Sequence, residues 1–421
     1  MLTESTLVRE FSLLLQSKLT AKMKLSDISK YVNEKVSSSD ISLSEYVTTD
    51  SLLQNKSGRV FATNLPPSPC SLTKFETGDV LIANIRPYLK KIWLANECGA
   101  CSNDVLCLRA KDGHSSAFLY AVLMQDAFYD YVMKGAKGSK MPRGDKDQIM
   151  DFKVSASLNE AEIGNFVTNI CQAIDNLTAI NRNLEHVARQ LYDYWFVQFD
   201  FPNDEGKPYK SSGGEMVWNE RLKRLIPNTW RCGSLVDIAE YTNGLACQRF
   251  RPSNDNERLP VIKIREMRDG FTNDTEWVTS NIPDNVKVYN GDVLFSWSAS
   301  LEVVLWAYGN GGLNQHLFKV TSKNGFPKTF YYFALKDYVE VFKAIAEARK
   351  TTMGHITREH LEQSTIAVPL DLSILNDFDL RVTPIFENIV NNQVEIIRLL
   401  RLRDELLPML LNGQVNCDLS H

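Results

Sequence analysis

The 421-residue chain is short of several features, and each absence excludes something. No apolar run approaches the ~20 residues that span a bilayer. The opening stretch MLTESTLVREFSLLLQ mixes acids among its apolar residues and lacks a basic n-region, so no secretory leader is expected. The eight cysteines, at 70, 98, 101, 107, 171, 232, 247 and 417, form no even disulfide framework, which fits a reducing cytoplasm. Net charge is only −4, so any surface for nucleic acid must be local. Contents of 44% hydrophobic and 23% charged residues are ordinary for a globular protein.

Catalytic signatures are also scarce. The Asn/Asp-Pro-Pro-aromatic tetrapeptide of amino-methyltransferases is missing, because Pro-Pro occurs only in Leu65-Pro66-Pro67-Ser68. Neither a phosphate loop nor a dinucleotide glycine fingerprint is present. Cys98-Gly-Ala-Cys101 with Cys107 invites a zinc site, but a second closely spaced pair is wanting. The six histidines show no H-x-x-x-H spacing. Asp79 and Asp292 fit turn residues ahead of a strand better than catalytic acids. The chain reads as a binder, not a catalyst.

Two long amphipathic stretches organise what is there. From about Asn159 to Gln198, apolar residues fall at Ile163, Phe166, Ile170, Ala173, Leu177, Ile180, Leu184, Val187, Leu191 and Tyr194. The intervals alternate between three and four, the seam of a helix that seeks a partner helix. Near the C-terminus Phe378, Val382, Ile385, Ile389, Ile396, Leu399, Leu406 and Leu410 keep the same spacing, interrupted by Asn392 and Arg403. The pairing positions expected are Ile170, Leu177, Leu184 and Leu191 against Ile385, Ile389, Ile396, Leu399 and Leu406. At ~1.5 Å per residue, such helices make rods of roughly 55–60 Å. Residues 1–20 are expected to form a further short helix.

Each long helix follows a similar block. Leu25-Ser-Asp-Ile28 recurs as Leu235-Val-Asp-Ile238, and Gly78-Asp-Val-Leu81 as Gly291-Asp-Val-Leu294. Tyr46–Asp50 matches Val261–Arg265, and Ser102–Leu108 matches Asn314–Val320. An aromatic-rich helix is expected from Phe118 to Met133 and again from Phe330 to Ile345, then a polar loop and a last strand. The offset stays between about 210 and 215 residues throughout, so the molecule is a tandem duplication. A Pro/Gly/Ser-rich linker, Phe201 to Gly214, separates the copies.

Both blocks carry local basic clusters. The first has Arg86, Lys90 and Lys91 past the Gly78-Asp79 strand, and Lys134, Lys137, Lys140, Arg143 and Lys146 in a glycine-containing loop. The second has Arg249, Arg251, Lys263, Arg265 and Arg268, then Arg349, Lys350, His355 and Arg358. Lys and Arg beside small residues suit phosphate contact and bidentate reading of guanine. Any one cluster is more often plain solvated surface. Basic loops at corresponding places in two copies of an otherwise acidic chain point to DNA contact.

Several strings resemble the specificity (S) subunits of type I restriction–modification enzymes. They are Gly78-Asp-Val-Leu-Ile-Ala-Asn-Ile-Arg-Pro-Tyr-Leu-Lys-Lys91, Gly138-Ser-Lys-Met-Pro-Arg143, and Leu191-Tyr-Asp-Tyr-Trp-Phe196 running into Asp200-Phe201. In the second half they are Ile226-Pro-Asn-Thr-Trp230, Asn314-Gln-His316, Thr351-Thr-Met-Gly-His-Ile-Thr357 and Leu406-Leu-Pro-Met-Leu-Leu-Asn-Gly413. The resemblance covers nearly the whole chain, and the duplicated globule-plus-helix order is its specific part.

That resemblance implies an α+β fold with an internal pseudo-twofold repeat. Two similar α/β-mixed target-recognition globules would be separated by a pair of long antiparallel coiled-coil helices. The implied division is 1–157 first recognition domain, 158–200 first spacer helix, 201–225 linker, 226–372 second recognition domain, 373–415 second spacer helix and 416–421 tail. Each globule would read one half of an asymmetric bipartite site in double-stranded DNA. The chain would be a non-catalytic, cytoplasmic prokaryotic subunit joining two methyltransferase subunits, with restriction subunits added. S-adenosylmethionine, ATP and Mg²⁺ would be used by those partners. The competing expectation is a two-headed scaffold that binds proteins instead of DNA.

Overall fold

The computed structural model describes residues 22–155, 159–254, 256–298, 300–348 and 356–414. The expected helix over 1–20 and the 416–421 tail lie outside these residues. The fold is mixed α/β with two long helices, Glu160–Tyr192 and Ser373–Leu411. Two compact units divide the chain: 1–174 with 399–421, and 175–398.

In the first unit, strands Ser29–Tyr31, Val105–Ala110, Val80–Ala83 and Ile92–Leu94 lie side by side in that order, all antiparallel. The run Val80-Leu-Ile-Ala83 is wholly buried because the sheet is covered on both faces. Strand alternation sends Val80 and Ile82 into a core with Phe118, Phe128 and Tyr129, and Leu81 and Ala83 into a second core with Leu52, Phe75 and Cys101. A smaller sheet sets Lys35–Ser37, Ser71–Phe75, Gly99–Cys101 and Tyr46–Val47 in order, the last pair parallel.

The second unit repeats the main sheet with Ala239–Asn243, Leu317–Ser322, Val293–Ser296 and Glu302–Leu305. Val80 faces Leu108 in one copy and Val293 faces Val320 in the other, so the register is shared. The smaller sheet keeps three equivalent strands, Lys287–Val288, Gly311–Leu313 and Arg258–Ile262, again with one parallel pair. Its fourth strand, Trp277–Thr279, adds to the opposite edge from that used by Lys35–Ser37. The turn before each central strand is built alike. Gly78 and Gly291 take φ of 92° and 87°, where a side chain would be strained. The following aspartate closes the turn by accepting from the backbone three residues earlier, Glu76 or Tyr289, at 2.8 Å.

The expected Phe118–Met133 helix is two helices, Ser116–Leu123 and Asp126–Gly135, whereas its counterpart is one, Lys328–Ala348. Gln125 breaks it: its backbone is extended and its side chain caps the Val122 carbonyl at 2.9 Å. The long helix Glu160–Tyr192 lies close against the first of these. A Cβ on Gly164 would stand 2.5 Å from the Phe118 nitrogen, so only glycine permits the approach.

The helix seam is rotated from the spacing seen in sequence. In the first unit Ile163 and Val167 join a core with Leu407, Leu410 and Leu411, and Ile170 is buried. In the second unit Leu177, Leu184 and Leu191 are half-buried, and Ala188, Tyr192 and Trp195 are buried. Ile180 and Val187 instead stand 46% and 51% exposed, and Tyr194 is exposed as well. The packed stripe therefore alternates four and three from Ile163, through Val167, Ile170 and Ile174. On the other helix Ile396 is buried, and Ile385, Ile389, Leu399 and Leu406 are half-buried. Asn181 contacts Ile389 and Asn392, while Tyr192 packs on Phe378, so within the second unit the helices run in opposite directions.

The first long helix ends in a π-helical turn, Asp193–Val197, that drives Trp195 and Phe196 into an aromatic cluster with Phe330, Phe378 and Trp230. The Pro/Gly/Ser-rich segment after it folds tightly on the same cluster. Phe201 stacks between Tyr209 and Trp230, Asp200 accepts from Ser211 twice at 2.7 Å, and a hairpin Met216–Asn219/Arg224–Pro227 follows.

Candidate nucleic-acid interface

In the first unit the end of the central strand and the glycine-containing loop are stitched together. Ile85 bridges Arg143, the Arg86 amide donates to the Pro142 carbonyl at 2.8 Å, and Gly144 donates to Asn84. Lys137 and Arg143 exchange two backbone hydrogen bonds of 2.9 Å, which closes the loop into a tight hairpin. Arg86, Lys137, Lys140 and Arg143 are thereby brought to one exposed rim. Lys134 stands exposed in the last turn of Asp126–Gly135, and Lys146 opens the next short helix with its ammonium 6.0 Å from the Tyr31 ring.

Two members of the cluster turn inward. Lys91 donates to the Thr49 carbonyl, and Lys90 pairs with Asp126 at 2.9 Å. Lys137 and Arg143 hold Asp145 and Asp104 at 2.8 and 2.9 Å. These are exposed contacts, weak enough to exchange for phosphate. The Asp145 carboxyl lies below its ordinary range because of the Lys137 hydrogen bond and the Gln148 amide.

In the second unit Arg249 ends the short 3-10 turn Cys247–Arg249, and both it and Arg251 stand exposed. The other described candidate contacts there are matched by acids: Lys263 with Glu276, Arg265 with Glu266, Arg268 with Glu302 and Arg358 with Glu362. Arg265 bonds the buried carboxylate of Glu266, whose other oxygen caps the helix Ile264–Asp269 through the Lys263 amide. Arg349, Lys350 and His355 lie outside the described residues.

Sequence reasoning did not single out several exposed aromatic and apolar residues of the two units. Phe61 is 66% and Tyr88 50% exposed in the first unit, with Met141 beside them in kind. Arg59 lies over Trp93 at 4.3 Å and near Phe61, and pairs with Glu97. In the second unit Phe250, Trp277 and Tyr289 are exposed, and Arg258 stacks on Trp277 at 4.1 Å. Flat rings beside cations suit base edges and thymine methyls. The only advance signal was aromatic residues close to arginine in loop segments, which is weak.

Asp79 and Asp292 are structural. The Arg109 guanidinium grips Asp79 with two hydrogen bonds of 2.7 and 2.8 Å, and Lys319 pairs with Asp292 at 2.8 Å. Cys101 and Cys107 are buried, and burial pushes the Cys101 thiol up to about 12. Among the described residues no group of three or more His, Cys, Asp or Glu side chains is placed to hold a metal. No helix among them is long and apolar enough to cross a membrane.

Residues 227–395 match the family model described as type I restriction modification DNA specificity domain. That match lies in the second copy of the repeat, and the curated relatives that resemble the chain are specificity subunits of type I restriction enzymes. It is 23% identical over 361 residues to the specificity subunit of the type I restriction enzyme MjaIX of Methanocaldococcus jannaschii, covering 83% of this chain and 80% of that one. The HindI specificity subunit of Haemophilus influenzae is 21% identical over 93% of this chain and 98% of its own length. The crystal structure of a type I S subunit from M. genitalium shares the fold at TM-score 0.59 and 13% identity, over 96% of this chain and 98% of that one.

Proposed function

We propose that this chain is the DNA-reading, non-catalytic subunit of a type I restriction–modification complex. Each head takes one half of an asymmetric, interrupted target, and the paired long helices act as the antiparallel spacer between the heads. Support comes chiefly from one feature: the same sheet and turn scaffold occurs twice, and each copy carries exposed cations and rings. The two copies differ in edge strand, helix break and charge pattern, which fits two different half-sites. Rods of 33 and 39 residues reach about 50–58 Å, enough to separate two heads by one duplex turn of ~34 Å or somewhat more.

On this reading the candidate contacts are Arg86, Lys134, Lys137, Lys140, Arg143 and Lys146 in the first head, with Lys90 and Lys91 supporting them. In the second head they are Arg249, Arg251, Lys263, Arg265, Arg268, Arg349, Lys350, His355 and Arg358. The helices also dock two methyltransferase subunits, to which restriction subunits are added, in a prokaryotic cytoplasm. S-adenosylmethionine, ATP and Mg²⁺ serve those partners and not this chain. Sequencing methylated host DNA with and without the gene tests the reading. A split, asymmetric motif that vanishes with the gene supports it, and a continuous palindrome contradicts it.

A second reading has an observation in its favour: four cations of the second head are already matched by acids. A two-headed protein-binding scaffold would need no positive field there. Mobility shift of the chain with a methyltransferase partner across a salt series separates the two, since phosphate contacts make DNA affinity fall steeply with salt.

A further inference from the structure

Lys56 is the least exposed lysine the ion pairs of the first unit involve, with 6% of its side chain exposed, and the candidate DNA contacts do not include it. Its ammonium reaches Asp126 at 2.8 Å and Asp404 at 3.4 Å. Asp126 also takes Lys90 at 2.9 Å, and Asp404 takes the Nε–H of Arg403, itself 3% exposed, at 2.9 Å. One buried cation thus ties together two turns, the start of the helix Asp126–Gly135 and the second long helix.

The two turns are unusual in the same way. Asn55 and Lys56 have φ of 56° and 61°, and Arg86 and Lys90 have φ of 52° and 51°, the left-handed region that side chains rarely adopt. They face each other through Asn55 N–H to the Leu89 carbonyl and Lys56 N–H to the Lys90 carbonyl, 2.9 and 2.8 Å. Such conformations persist only where the surroundings over-determine them. The second of these turns carries Arg86 and Tyr88, the exposed cation and ring described above.

We propose that Lys56 is a positioning residue that fastens the Arg86–Lys90 turn to the second long helix through Asp126 and Asp404, so that the first head reads its half-site in register with the spacer. The inference rests on the DNA-reading function above. Only the cation is buried, the carboxylates of Asp126 and Asp404 being about half exposed, so the pairs are poor evidence for stability as such, and the better-attested use of ion pairs that bury a charge is to fix one arrangement among several. Asp126 fits that use: burial raises its carboxyl, but the hydrogen bonds from Lys56 and Lys90 carry it below the ordinary range.

The test compares wild type, Lys56→Met, Lys56→Arg and Asp404→Asn, each as the complex with its methyltransferase subunits. The methylated motif and the rates on single-mismatch sites are read out, together with Tm. Arg86→Ala marks which half-site belongs to the first head. Lys56→Met is expected to lose at least tenfold discrimination in that half-site alone, Asp404→Asn to lose less, and Lys56→Arg to recover most of it. Uniformly slower methylation on an unchanged motif, or equal loss in both halves, would make Lys56 a stabilising residue only and overturn the proposal. Should Lys56→Met fail to fold, Asp404→Asn carries the same comparison. If wild type itself shows no sequence-selective methylation, the functional reading fails first.

Discussion

The carboxamide of Asn392 donates to the Asn181 side-chain oxygen at 2.8 Å, and Asn181 donates in turn to the Ile389 carbonyl at 3.1 Å. The apparent break in the second helix's apolar spacing is thus a polar clasp between the two helices. Asn181→Leu is expected to destabilise the chain by about 1 kcal/mol, near the low end for an unsatisfied group because the site is only half-buried. Asn181→Leu/Asn392→Leu should cost less than the sum of the singles, since neither amide is then left alone. Urea unfolding of the four proteins checks this. Strict additivity would show that the clasp carries no coupling.

The paired turns of the two heads differ in how their aspartates are held. Asp79 is buried and receives two bonds from Arg109, while Asp292 is more exposed and receives one from Lys319. Asp79→Ala removes two hydrogen bonds from Arg109, which keeps Glu34 and Glu76, and is expected to cost roughly 1–3 kcal/mol. Asp292→Ala should cost clearly less, because Asp292 is itself more exposed and Lys319 keeps its hydrogen bond to the Lys287 carbonyl. Thermal unfolding of both variants ranks them, and the reverse order would refute the account.

The first head's cations divide by where their charge is spent. Lys140→Ala should weaken DNA binding across sequences and reduce the salt slope by about 1. Lys91→Ala should leave the slope unchanged and lower Tm instead, because its ammonium is bound to the Thr49 carbonyl. Fluorescence anisotropy at several salt concentrations gives the slopes. An equal drop for Lys91→Ala would mean that it leaves Thr49 for DNA.

The rotated seam predicts a difference between neighbours of similar hydrophobicity. Val187→Gln alters an exposed position and is expected to change stability by no more than about 0.5 kcal/mol. Ala188→Gln, one residue on and fully buried, should destabilise by about 1–3 kcal/mol through overpacking. Equal effects in urea unfolding would return the seam to the spacing read from sequence.

What the sequence by itself determined was local and repeated. Two long helices, the duplicated Gly-Asp turn and strand, and the basic loops each leave a periodic or turn-chemical signature within a few residues. The tertiary structure alone decided which of those residues meet. It turned the helix so that Val167 and Ala188 pack while Ile180 and Val187 face water, because a stripe of mixed three- and four-residue steps offers two neighbouring faces and only the partner selects one. It added Lys35–Ser37 and Trp277–Thr279 to opposite edges of equivalent sheets. It also matched Lys263 and Arg268 with acids, and set Lys56 against Asp404, 348 residues away. Charge pairing at that separation depends on how distant segments pack, and no local pattern encodes it.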